Sequence, residues 1–245
     1  MADMLDRYRG QIGNKTADVI YRLAKRARLP RNKKVYNAGA IDIDLEKAAG
    51  YKGPRKISML DFFLMRDESP DSEIGRFLFH DQQSVTEPHL LPDCVVAREK
   101  GDDVIADIRI PVKDEIMRFY MGFLDKICMK GDNPLTYGET VHADADIIYH
   151  VNDRLMSGKA IAESKLNEGK YANRIRENLY NNDKLAEILR DEKREKDVIT
   201  EARRIAEACG FNPDHAEEFV RWMMNVTLRT VEVEYLRRKL GKTKD

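Results

Sequence analysis

The sequence predicts an all-α protein, and two observations carry that expectation. Proline and glycine punctuate the first half of the 245 residues and thin out in the second, where no proline lies between Pro134 and Pro213 and none follows Pro213. Apolar residues near the end recur at helical spacing, as in Phe219, Trp222, Met223, Val226, Val233 and Leu236. That spacing gives one apolar stripe on a helix rather than the alternation of a strand.

Taken in order, residues 4–29 read as a helix and residues 30–58 as a stretch rich in turn formers. Residues 59–67 and 71–80 read as two short helices broken at Pro70, because proline lacks an N–H and its ring crowds the preceding turn. The stretch from Val95 to Ile110, with Lys100-Gly101-Asp102-Asp103 in its middle, is a candidate β-hairpin. Residues 113–130 form a further expected helix. Residues 140–168, 170–209 and 214–240 read as long helices, the last announced by Asn212-Pro213-Asp214 after the helix-stopping Gly210. No linker is long or polar enough to divide the chain, so residues 1–245 are expected to form a single large helical domain. One internal echo stands out: ADVIYRLAKR at 17–26 is similar to ADIIYHVNDR at 145–154.

Composition narrows the function classes. Hydrophobic residues make up 42% and charged residues 35%, and the formal net charge is zero. A neutral balance gives no electrostatic support for nucleic-acid or membrane binding, and neither partner is expected. No apolar stretch approaches the roughly 20 residues of a membrane helix. The start MADMLDRYRG is charged throughout, so no signal peptide is expected and the expected location is cytoplasmic. Cys94, Cys128 and Cys209 are far apart and suit a reducing compartment. His80, His89, His142, His150 and His215 show no metal-ligand spacing, so no metal is expected.

The chemistry concentrates in the run DRLMSGKAIAESK. Arg154 and Lys165 are eleven residues apart. At ~100° per residue the second side chain returns within about 20° of the first, so two cations share one helix face. Gly158, Ile161 and Ala162 lie between them, and a glycine there is expected to open room beside the helix. The pattern suggests a slot for a small dianion. Arg9 near the N-terminus, Asp191 with Glu195 four residues on, and Glu232 in TVEVEYL are the other charged groups singled out.

These same segments resemble the eukaryotic-type, yeast-like chorismate mutases. TVEVEYLRRKL is similar to that family's ending, and NDRLMSGKAIAESK to its central arginine–glycine–lysine helix, with the same eleven-residue gap. IGRFLF at 74–79 and LDRYRGQI at the N-terminus also align, whereas 30–60 and 80–112 match weakly. The resemblance implies an all-helical fold of about ten helices, with the catalytic helices mainly in 140–240. It implies an isomerase that rearranges chorismate to prephenate, without cofactor or metal, early in phenylalanine and tyrosine synthesis. It also implies a homodimer.

Residue by residue, the resemblance makes Arg9 and Arg154 the guanidinium clamps for the two substrate carboxylates. Lys165 becomes the donor to the ether oxygen, with a protonated Glu232 on its other side. Glu195 takes the substrate hydroxyl. Asp191 stands where relatives carry an amide, and Arg194 beside it is expected to offset that charge. Leu228, four residues before Glu232, replaces a family threonine, with Thr227 and Thr230 as neighbouring substitutes. Relatives bind tyrosine or tryptophan at a dimer-interface site through two adjacent arginines. Here the pair reads Gly75-Arg76, and Gly138 is followed by Glu139 where a serine would stand. That points to a vestigial effector region with weak or absent feedback. An alternative reading is a catalytically weak ligand-sensing or interaction protein on the same scaffold; a third is a helical scaffold that binds another protein.

Overall fold

A computed structural model describes residues 2–41, 44–51, 53, 55–96 and 104–241, with side chains from residue 10 onward. The architecture is all-helical: α1 (Ala2–Arg26), α2 (Leu45–Ala49), α3 (Met59–Glu73), α4 (Lys113–Ile127), α5 (Tyr137–Asn167), α6 (Gly169–Glu177), α7 (Asn182–Leu189), α8 (Glu192–Cys209), α9 (Pro213–Val226) and α10 (Val233–Gly241). A π-helical segment, Thr227–Glu232, joins the last two. No strand occurs among the described residues.

The 31-residue α5 is the axis of the fold. It is buried on nearly all sides, as expected of a helix inside a bundle. Val141, Ile148 and Leu155 face the core, yet Asp144, Arg154, Lys159, Glu163 and Lys165 are buried too. Helix α1 packs antiparallel against it through Ile12, Val19, Ile20 and Leu23. The two echoed segments lie face to face in this pair. Arg26 Nε donates to Asp144 Oδ1 at 2.6 Å, and Arg154 Nε donates to Thr16 Oγ1 at 3.0 Å. Each arginine closes one echo and bonds to the residue just before the other, so the repeat is expressed as a local two-fold relation. On the far side, Phe119, Phe123, Phe219 and Trp222 interlock α4 with α9, Phe119 stacking on Trp222 at 4.2 Å between ring centres.

Three expectations need correction. Pro70 does not break the chain into separate helices. It sits inside α3, which ends one turn later at Glu73. The missing N–H affects only the final turn, where the Ser69 hydroxyl donates to the Met65 carbonyl at 2.6 Å and Ile74 N–H returns to Pro70 O at 3.0 Å. The expected helix over 71–80 reduces to that turn and a short 3-10 turn, Arg76–Leu78.

The expected helix over 170–209 is three helices. Asn181 and Asp191 each accept a backbone N–H at 3.1 Å, from Lys184 and Arg194, and so start α7 and α8. Short polar side chains that capture N–H groups in this way stop one helix and cap the next.

The turn of the candidate hairpin lies outside the described residues, and its described flanks form no strand. The backbone of the second flank is bound elsewhere: Ile105 O meets His80 Nδ1 at 2.7 Å, Ala106 N–H donates to the Tyr235 hydroxyl at 2.9 Å, and Ile110 N–H donates to Gln83 Oε1 at 2.9 Å. Side-chain partners replace the ladder that an isolated hairpin lacks.

Candidate active site

Arg154 and Lys165 face one cavity of about 100 Å³ between α5, α1, the start of α8 and the π segment. Ile161 lies between them on its wall. Gly158 does not open room there. A Cβ at Gly158 would sit 2.9 Å from Thr227 Cγ2 and 3.1 Å from Val231 Cγ1, so the glycine admits the π segment against α5. The expected slot beside the glycine is filled by protein, and the cavity opens one turn along from it.

Arg154 is 4% exposed, Lys165 7% and Glu232 4%. Lys165 Nζ donates to Glu232 Oε2 at 2.9 Å and to the Leu189 carbonyl at 2.5 Å. Those bonds use two of the three ammonium hydrogens. Arg154 donates to Thr16 Oγ1 and, at 3.4 Å, to Thr227 Oγ1. Thr227 in turn donates to the Met223 carbonyl at 2.8 Å, which fixes its hydroxyl as an acceptor for the guanidinium. Burial lowers the Arg154 pKa to about 10, with Glu232 opposing the shift and Arg194 adding to it. Burial pushes the Glu232 carboxyl above the usual carboxylate range, against the pull of Lys165 and Arg154. Desolvation therefore favours the neutral acid even beside two cations.

Asp191, Arg194 and Glu195 also border the cavity. Asp191 caps α8, accepting from the backbone N–H of Arg194. Glu195 pairs with Arg190 Nε at 3.2 Å. Arg9 lies on α1, but its side chain is outside the described residues. Of the expected residues, the structure thus brings together Arg154, Lys165, Asp191, Arg194, Glu195 and Glu232.

Sequence reasoning missed Arg190 and Thr16. No spacing signal marked either: Thr16 reaches the site only because α1 lies antiparallel to α5, and Arg190 because a loop ends α7 there. Geometry separates Thr227 from Thr230. A π-turn bonds i to i+5, so Thr227 and Glu232, five apart, are stacked one turn from each other. Thr230 instead donates to Glu115 Oε2 at 3.1 Å.

The proposed effector residues are dispersed in one chain. Gly75 has φ of 74° and starts the turn carrying Arg76. Arg76 Nη1 pairs with Asp71 Oδ2 at 3.2 Å, Nε donates to Gln82 at 3.1 Å, and the guanidinium lies over Tyr149 at 5.0 Å. Gly138 and Glu139 are exposed at the other end of α5. From Gly138 to Tyr149 is eleven residues, roughly 16 Å of helix.

The site is a small cavity between helices on which two buried cations converge with one buried carboxyl whose pKa is raised, an arrangement suited to an anionic ligand. The chorismate mutase type II family matches residues 136–232, from the start of α5 to Glu232. A chorismate mutase of Schizosaccharomyces pombe is 27% identical over 163 residues, covering 66% of this chain and 61% of that protein. One of Trichoderma parareesei is 24% identical over 91% of this chain and 88% of its own length. The fold is shared with the Candida albicans chorismate mutase solved in complex with L-Trp, at 20% identity and a TM-score of 0.84, covering 97% of this chain and 92% of that one. Residues 136–232 are thus similar to the chorismate mutase type II family, and the chain shares its fold with all-helical chorismate mutases.

Proposed function

We propose that this cavity rearranges chorismate to prephenate by gripping a dianion and stabilising the oxygen that leaves. The observation that carries the reading is the convergence of Arg154, Lys165 and Glu232, all nearly fully buried, on one cavity. The reaction is intramolecular: one C–O bond breaks as one C–C bond forms, with no nucleophile or proton transfer. Catalysis must then come from conformer selection and electrostatics.

Arg154 binds one carboxylate and, by resemblance, Arg9 the other. Thr16 and Thr227 orient the Arg154 guanidinium. Lys165 directs its remaining hydrogen to the ether oxygen as negative charge develops there. Neutral Glu232 donates from the other side, so substrate entry opens the 2.9 Å Lys165–Glu232 contact. Glu195, steadied by Arg190, takes the ring hydroxyl, and Asp191 and Arg194 line the mouth. The catalytic unit spans residues 1–245 and works as a homodimer in the cytoplasm. A maize relative, 26% identical, is described as cytosolic, and no described helix is long and apolar enough to cross a membrane.

The test follows loss of chorismate ultraviolet absorbance. Turnover should fall at least about 100-fold in Lys165→Ala, the range for losing a donor to developing charge. Tight chorismate binding without turnover in the wild type would favour the ligand-sensing alternative instead.

A further inference from the structure

Helix α5 carries another buried cation outside this pocket. Lys159 is five residues from Arg154 and six from Lys165, which turns it roughly 120–140° away from both. It is 2% exposed, and its one hydrogen bond among the described residues runs from Nζ to the His80 carbonyl at 3.1 Å. An ammonium has three donors, and leaving a buried charge under-satisfied is costly.

The amine borders a cavity of about 260 Å³ formed by the 77–91 loop, residues 107–109 and α5. Arg109 lies on the same wall, donating to Ser84 O at 3.2 Å and Ser84 Oγ at 3.4 Å. Phe77, Leu91 and Ile108 supply apolar surface. Asp107 also borders the cavity; its side chain is 84% exposed and its Oδ2 lies 4.0 Å from His80 Nε2. Burial lowers the Lys159 pKa to about 8; Asp107 and Asp81 oppose the shift and Arg109 adds to it. Among the described residues, the groups around Lys159 thus undercompensate its charge.

We propose that this cavity is a second ligand site, separate from the chorismate pocket, for a small carboxylate with a compact apolar body. The carboxylate sits on Lys159 Nζ beside Arg109, and the body rests against Phe77, Leu91 and Ile108.

The probe is 4-fluorobenzoate, followed by fluorine NMR on the intact chain with excess prephenate present. Saturable binding is expected, weakened at least about tenfold in Lys159→Met, which removes a charge-assisted bond but keeps the side-chain length. If that variant does not fold by circular dichroism, Arg109→Gln decides by the same criterion. Absence of saturable binding, displacement of the probe by prephenate, or unchanged affinity in the deciding folded variant would overturn the proposal.

Discussion

Glu232 is the residue whose protonation state matters most to the proposed chemistry, since an ionised carboxylate cannot donate to a developing oxyanion. Burial raises its pKa, so the donor form persists above the ordinary carboxylate range and is lost as pH rises through the folded-state value. Activity should fall over that interval, and Glu232→Gln, which donates at every pH, should flatten the profile. A wild-type profile flat from acid to alkaline pH would remove the protonated role. Stability follows the same direction. A raised folded-state pKa contributes stability below the unfolded value, and that contribution disappears as pH climbs through the folded one.

At the scale of elements, the contact between α5 and the π segment sets the geometry of the site. The π-turn is what brings the Thr227 hydroxyl to Arg154, and Gly158 is what lets the π segment lie this close. A methyl group at 158 meets Thr227 at 2.9 Å, from a segment packed on both sides. Gly158→Ala should therefore cost about 1–3 kcal/mol of stability by overpacking, despite alanine's better helix propensity. It should also lower turnover more than a stability loss explains, because Thr227 moves with the helix that carries Glu232. Denaturant unfolding and turnover of the same preparation check this together. An unperturbed variant would mean that the two helices slide apart freely.

At the scale of the whole molecule, one buried ionic network ties the α1–α5 pair to the loop after α1 and to α4. Asp144 accepts at 2.6 Å from each of Arg26 Nε, Tyr36 Oη and Tyr120 Oη, and both Arg26 and Asp144 are fully buried. Beside Asp144, both tyrosine hydroxyls are pushed above their usual pKa range, with burial as the largest cause. Asp144→Ala leaves Arg26 as an uncompensated buried cation, and a loss of about 3–5 kcal/mol is expected in denaturant unfolding. Regulation belongs to this scale too. Arg76 is engaged by Asp71, Gln82 and Tyr149, and Glu139 adds an exposed carboxylate at the start of α5. We therefore expect weak or absent feedback; a several-fold change in turnover on adding tyrosine or tryptophan would refute it.

The local sequence alone determined the helical class and the shared face of Arg154 and Lys165. Both depend on periodicity within one helix, and helical geometry makes neighbours three and four residues apart predictable without any partner. It also held the caps that split 170–209, but Asn181 and Asp191 read as ordinary helix residues until their side chains are seen bonded to the backbone. Tertiary structure alone decided that Gly158 admits a helix rather than a ligand, that Thr227 and not Thr230 faces Arg154, and that Arg190 reaches Glu195. Those outcomes turn on how closely separate helices approach and on a one-residue register change in the π segment, distances that packing sets and sequence spacing does not encode.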